Sequence, residues 1–212
     1  MFLLQRSPQE IIFFLLGLVI AITVHEFSHA AVAYRLGDPT AKLQGRLTLN
    51  PLSHLDPIGT LLLFIVGFGW GKPVPFDPFN LRNPKRDGAL ISFAGPFSNV
   101  VTAIAFVIPF WIGAITTLPA LLEIGTLLQP IVFLNLVLAV FNLIPIHPLD
   151  GFKVLGGILP KYWYYDWAQM ERFGIFFLLF LIFPIFGGRS AISIILGPVL
   201  STIIQLLYLS PG

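Results

Sequence analysis

Three ionisable side chains, His25, Glu26 and His29, lie inside a largely apolar run from Ile11 to Leu36. A stretch of that length can cross a bilayer, which needs about 20 apolar residues. Ionisable groups in hydrocarbon cost at least about 2.5–3.5 kcal/mol each, so they mark function rather than packing. On a helix, positions i and i+4 share a face. The two imidazoles of His25-Glu26-Phe27-Ser28-His29 can therefore hold one metal ion, with Glu26 beside it to take a proton from bound water. The metal lowers that water's pKa toward about 7, which makes hydroxide available at neutral pH.

Composition narrows the choice of metal ligands. Hydrophobic residues make up 56% of the 212-residue chain and charged residues 10%, against about 25% charged in a soluble domain. There is no cysteine, so thiol nucleophiles, disulfides and iron–sulfur clusters are excluded and any metal rests on His, Asp or Glu. A net charge of +2 with no long basic run argues against a nucleic-acid partner.

Four segments are long and apolar enough to span: Ile11–Leu36, Gly88–Ile112, Ala120–Ile144 and Ala191–Leu209. Phe173–Phe186 can make a fifth together with Trp167 to Arg172, and Gly187–Gly188 then turns into the last helix. Ile58–Trp70 is short, begins after Pro57 and ends in glycines, which suits a re-entrant element. Lys42–Asn50 (KLQGRLTLN) partly alternates and predicts a short strand. Its edge would pair with an unwound substrate segment. Lys72–Phe76 (KPVPF) predicts a second extended piece, limited in pairing by its prolines. The expectation is an all-α polytopic membrane protein with five to six transmembrane helices, a short membrane-associated β element and a re-entrant segment. It forms one domain over 1–212, with a catalytic core over about 11–159 and C-terminal helices over about 167–209. No cleavable signal peptide is expected at the amino terminus.

Catalytic zinc usually has three protein ligands and an open position. Asp150 is the best third ligand. It follows an apolar helix broken by Pro145 and Pro148, and Gly151 relaxes the backbone after it. His54, in the polar stretch Asn50–Pro57, and His147 are rivals. His54 could also line the site or hold a loop. Asn142, near the end of the helix preceding Asp150, could bond a substrate backbone or polarise a scissile carbonyl. A hydrogen bond between helices is an equal alternative. Gly95-Pro96-Phe97-Ser98-Asn99 places small residues mid-helix, where a neighbouring helix can come close, with Asn99 bonding across the bundle.

Together, HEFSH at His25–His29, GPFSN at Gly95–Asn99 and NLIPIHPLDG at Asn142–Gly151 resemble the site-2 protease family of intramembrane zinc metalloproteases. The resemblance covers roughly Ile11 to Leu159. It implies one Zn²⁺ per chain held by His25, His29 and Asp150, Glu26 as general base, and contact of Asn142 with substrate. It also implies cleavage of membrane-spanning segments of other proteins, in a minimal bacterial or archaeal member without a PDZ or CBS domain.

Topology sets a condition. For the C-terminal half of the first helix to meet Asp150, an odd number of crossings must run from that helix through Ala120–Ile144. A re-entrant Ile58–Trp70 gives three, and a spanning one gives four. The re-entrant arrangement gathers Arg35, Lys42, Arg46, Lys72, Arg82, Lys85, Arg86, Lys153, Lys161 and Arg172 on one side and leaves Arg6 and Arg189 on the other. By the positive-inside rule the active-site face is cytoplasmic, in a multi-pass protein of the cell membrane. The competing readings are a transporter or ion channel with a His/Asp metal site, a haem carrier, and an inactive scaffold. Polar residues clustered at one depth, two histidines on one helix, and an intact Glu26 argue against these in turn.

Overall fold

The computed structural model describes residues 7–66, 69–183 and 190–209. The chain is all-α. In order, the helices are α1 (Pro8–Arg35), α2 (Thr40–Leu43), α3 (Pro57–Val66), α4 (Pro84–Thr116), α5 (Pro119–Leu127), α6 (Gln129–Asn142), α7 (Asp150–Ile158), α8 (Lys161–Gln169), α9 (Gly174–Ile182) and α10 (Ala191–Tyr208).

Local chemistry fixes the two long helices. Ser7 and Glu10 exchange side-chain and backbone hydrogen bonds in a capping box, and Pro8 follows at the first helical position, where its missing N–H costs nothing. α1 ends where the Gly37 amide bonds to Tyr34 O and the Asp38 amide to Ala33 O, with Gly37 at φ +107°. That is the left-handed stop that glycine permits. Asn83 caps α4, accepting from the Arg86 amide while Asp87 accepts from the Asn83 amide.

One face of α1 carries Phe14, Gly17, Ala21, His25, His29 and Ala33, all buried and spaced three or four residues apart. α4 and α6 pack against that face. Gly17 permits the contact with α6, since a Cβ there would stand 2.9 Å from the Ile131 Cα. A separate apolar core of Ala103, Val107, Val132, Leu136, Leu196 and Leu200 joins α4, α6 and α10. Large apolar side chains such as Ile12, Leu16, Phe97, Ile104 and Ile108 face outward, as they do in a protein whose solvent is lipid.

Three described helices, α1, α4 and α10, are long and apolar enough to cross a membrane, and a fourth span arises if α5 and α6 count as one. Among the described residues this count falls short of the five to six crossings expected from the sequence. Ala120–Ile144 is not one straight helix. Pro130 lacks the N–H that would continue the ladder, and α5 and α6 meet there at a bend of 43°. Within the expected fifth span, α9 holds nine residues, roughly 14 Å of helix. Residues 184–186 of that span, the Gly187–Gly188 turn, Arg6 and Arg189 lie outside the described residues. α3 holds ten residues, roughly 15 Å. Its flanks meet in an antiparallel bridge between Leu55 and Gly71, and the Lys72 amide donates to His54 O at 2.7 Å. The chain thus leaves and returns at one place.

The predicted β element over Lys42–Asn50 is absent, and among the described residues the isolated Leu55–Gly71 bridge is the sole β pairing. Thr40–Leu43 is a helical turn instead. The Gly45 amide bonds to Lys42 O and the Arg46 amide to Ala41 O, with Gly45 at φ +69°. This is a helix stop rather than a strand. The alternation in KLQGRLTLN is overridden by that turn, and no strand edge is available there for a substrate.

Candidate metal centre

His25 and His29 stand one turn apart on the buried face of α1. Their Nδ1 atoms are both engaged. His29 Nδ1 lies 2.7 Å from the carbonyl oxygen of Ile91, which can only accept, so Nδ1 carries the proton. His25 Nδ1 lies 2.7 Å from Asn99 Oδ1. Asn99 Nδ2 donates to Ala21 O and to Asn135 Oδ1, both at 2.9 Å. Those two acceptors fix which end of the amide faces His25, so His25 Nδ1 also carries its proton.

With both protons on Nδ1, the Nε2 lone pairs are left to face a third group. That group is Asp150. Its Oδ2 lies 3.0 Å from His25 Nε2 and 3.2 Å from His29 Nε2, and one ligand atom from each residue falls within 4.8 Å of the others. Two imidazole lone pairs and a carboxylate oxygen at these distances repel one another unless a cation lies between them. The donor set therefore fits a metal, and its chemistry, two nitrogens and one oxygen, suits zinc. Among the described residues this is the one such cluster.

Close packing brings the three together. Gly151 lies against the end of α6, where a Cβ would come within 2.2 Å of Leu143 O, and Gly157 meets Ala89, where a Cβ would stand 2.2 Å from the alanine Cβ. These contacts set α7 onto α4 with Asp150 at its first turn. Gly95 faces the imidazoles themselves: a Cβ there would be 2.4 Å from His29 Nε2 and 2.6 Å from His25 Cε1. The neighbour that the small residues of GPFSN admit is thus the histidine pair.

Glu26 is half-buried, and its Oε2 accepts a 3.0 Å hydrogen bond from the Val74 amide. The three ligands and Glu26 line a cavity of about 580 Å³, walled also by Trp70, Phe141, Asn142 and Leu178. Asn142 Nδ2 donates to Leu138 O in its own helix, so this amide bonds within its helix and faces the cavity. His54 is fully buried outside that cavity, with Nε2 on Thr48 O at 2.7 Å. His147 pairs with Glu171 at 3.5 Å. Neither is brought to the metal ligands.

The chain is 40% identical over 179 residues to a Bacillus subtilis protein named "Putative zinc metalloprotease YwhC", covering 82% of this chain and 81% of that one. It is 32% identical over 171 residues to "Putative zinc metalloprotease Rip2" of Mycobacterium tuberculosis, covering 78% of this chain and 64% of the relative. The protein of the same name from Mycolicibacterium smegmatis is 33% identical over 147 residues, or 66% and 54% of the two chains. This chain belongs to that zinc metalloprotease family. No family model and no solved structure matches it.

For a member of a zinc metalloprotease family, the groups behind the ligands matter as much as the ligands. Here they form a polar chain through apolar helices: Asn135 donates to Ile131 O, accepts from Asn99, and Asn99 accepts from His25. Asn99 and Asn135 are both fully buried. The sequence predicts a bond across the bundle for Asn99 and gives no role to Asn135. Its signal was present, a lone amide in the apolar stretch of α6, which must find a partner. The Val74 contact is made by backbone and has no side-chain signature.

Proposed function

We propose that this chain is an intramembrane zinc endopeptidase of the site-2 protease type, hydrolysing peptide bonds within or near membrane-spanning segments of other proteins. The observation that carries the reading is the convergence of His25 Nε2, His29 Nε2 and Asp150 Oδ2 beside Glu26, at a cavity among apolar helices.

His25, His29 and Asp150 would hold one zinc ion per chain. Bound there, zinc supplies Lewis acidity that activates water near neutral pH and polarises the scissile carbonyl. Glu26 moves the proton. Its Oε2 is held by the Val74 amide, which leaves Oε1 to accept the proton from the attacking water and return it to the leaving amine. Asn142, at the cavity wall, is placed to bond the substrate backbone. A transmembrane helix hides its carbonyls in its own hydrogen bonds, so the substrate enters locally unwound, and its freed amides need partners. Substrates are membrane-spanning proteins. The charge asymmetry expected from the sequence favours an active-site face on the cytoplasmic side of a bacterial or archaeal membrane.

The test is cleavage of a single-span peptide by purified protein in liposomes. Wild type should cut, and Glu26→Gln, which is nearly isosteric but takes no proton, should keep its zinc and lose cleavage. Substantial residual cleavage by Glu26→Gln would remove the carboxylate from the mechanism, and a wild type inactive on membrane segments but active on soluble peptides would remove the intramembrane role.

A further inference from the structure

Among the described residues, Arg46 is a buried cation without an acidic partner. It is 6% exposed, and among the described residues no carboxylate pairs with it. Its Nη2 donates to the carbonyls of Lys72 and Pro73, at 3.5 and 3.2 Å, and its Nη1 is buried with no partner. Burying a guanidinium on neutral acceptors alone is costly, so the position of what it holds must matter.

What it holds is the strap from Gly71 to Val74. That strap is fastened by the Leu55–Gly71 bridge, by the Lys72 amide on His54 O, and by Arg46 on the next two carbonyls. It then ends on the active site, where the Val74 amide donates to Glu26 Oε2 at 3.0 Å. Val74 is flanked by Pro73 and Pro75, neither of which has an N–H. A slip of the strap by one residue in either direction therefore puts a proline against Glu26 and leaves the carboxylate without its donor. Glu26 is oriented only when the strap is in register.

We propose that Arg46 is a positioning residue for Glu26, acting through the Lys72 and Pro73 carbonyls and the Val74 amide. The proposal rests on Glu26 as the proton acceptor, and its failure can be told apart from failure of that reading. Arg46→Met keeps most of the stem and loses the donors. It should bind zinc as wild type does, hold KM within about threefold, and lower kcat by about tenfold or more, as expected when a catalytic group is misplaced rather than a ligand lost. Arg46→Lys, which can still reach one carbonyl, should recover part of that loss. Val74→Pro deletes the amide at the end of the relay and should lower kcat with zinc retained. The double variant should then be no slower than the slower single, because both changes break one path.

Wild-type kcat in Arg46→Met or in Val74→Pro would overturn the proposal, as would effects that multiply in the double variant. Zinc loss in a folded Arg46→Met would assign Arg46 to the metal site instead and also overturn it. Should Arg46→Met fail to fold, Arg46→Lys decides: kcat below wild type with zinc retained supports the relay, and wild-type kcat overturns it. If wild type and Glu26→Gln cleave alike, it is the reading of Glu26 as proton acceptor that fails, not the relay.

Discussion

Nδ1 of His25 donates to Oδ1 of Asn99 across 2.7 Å, and that amide is in turn anchored on Ala21 O and on Asn135. The bond aims the Nε2 lone pair at Asp150. Asn99→Leu keeps the volume and strands a buried imidazole N–H. Zinc affinity should fall about 10–100-fold, as for other groups that orient metal-binding histidines, in a competition titration against a chelator. Unchanged affinity would mean that His25 is oriented by packing alone.

Gly95 and the histidine pair are in contact with no room for a methyl group. Neither ring can swing aside without breaking its Nδ1 hydrogen bond. Gly95→Ala should therefore lose most of its zinc and its cleavage while remaining helical by circular dichroism, since alanine favours a helix over glycine by about 1 kcal/mol. Full metal content in Gly95→Ala would show that α1 and α4 can part to admit the methyl.

Asp38 ties the end of α1 to the loop ahead of α4. It accepts from the Thr40 amide and hydroxyl, the Asp77 amide and the Asn80 side chain. Burial works against its charge, but these donors outweigh it and hold the carboxyl below the ordinary value of 3.8. A depressed folded-state pKa stabilises above the unfolded value and is lost as pH falls through the folded one. The contribution should thus be complete above about pH 4 and fade below it. Asp38→Asn turns an NH₂ toward a donor and should cost about 2–3 kcal/mol at pH 7, read by thermal unfolding in detergent, with the gap to wild type closing as pH drops below about 4.

Much of this centre was legible in the sequence. His25 and His29 show themselves by four-residue spacing inside an apolar run, and Asp150 by the prolines that break the chain before it. The parity condition needs Ile58–Trp70 not to cross, and Leu55 and Gly71 on its two flanks pair in an antiparallel bridge. The misreadings have local causes. Gly45 in a left-handed helix stop looks like any residue of an alternating stretch until its hydrogen bonds are known. Pro130, near the bend between α5 and α6, sits inside one long apolar segment of the sequence, and hydropathy alone carries no record of a missing N–H. The hold on Glu26 comes from a backbone amide, and no residue-type pattern announces it.

The central claim is the identity of the metal ligands. Zinc content of the purified chain tests it most directly, compared among wild type, Asp150→Ala and His54→Ala. About one zinc per chain is expected in wild type and in His54→Ala, and little in Asp150→Ala, since two histidines alone leave the site a ligand short. Full zinc in Asp150→Ala would contradict the account.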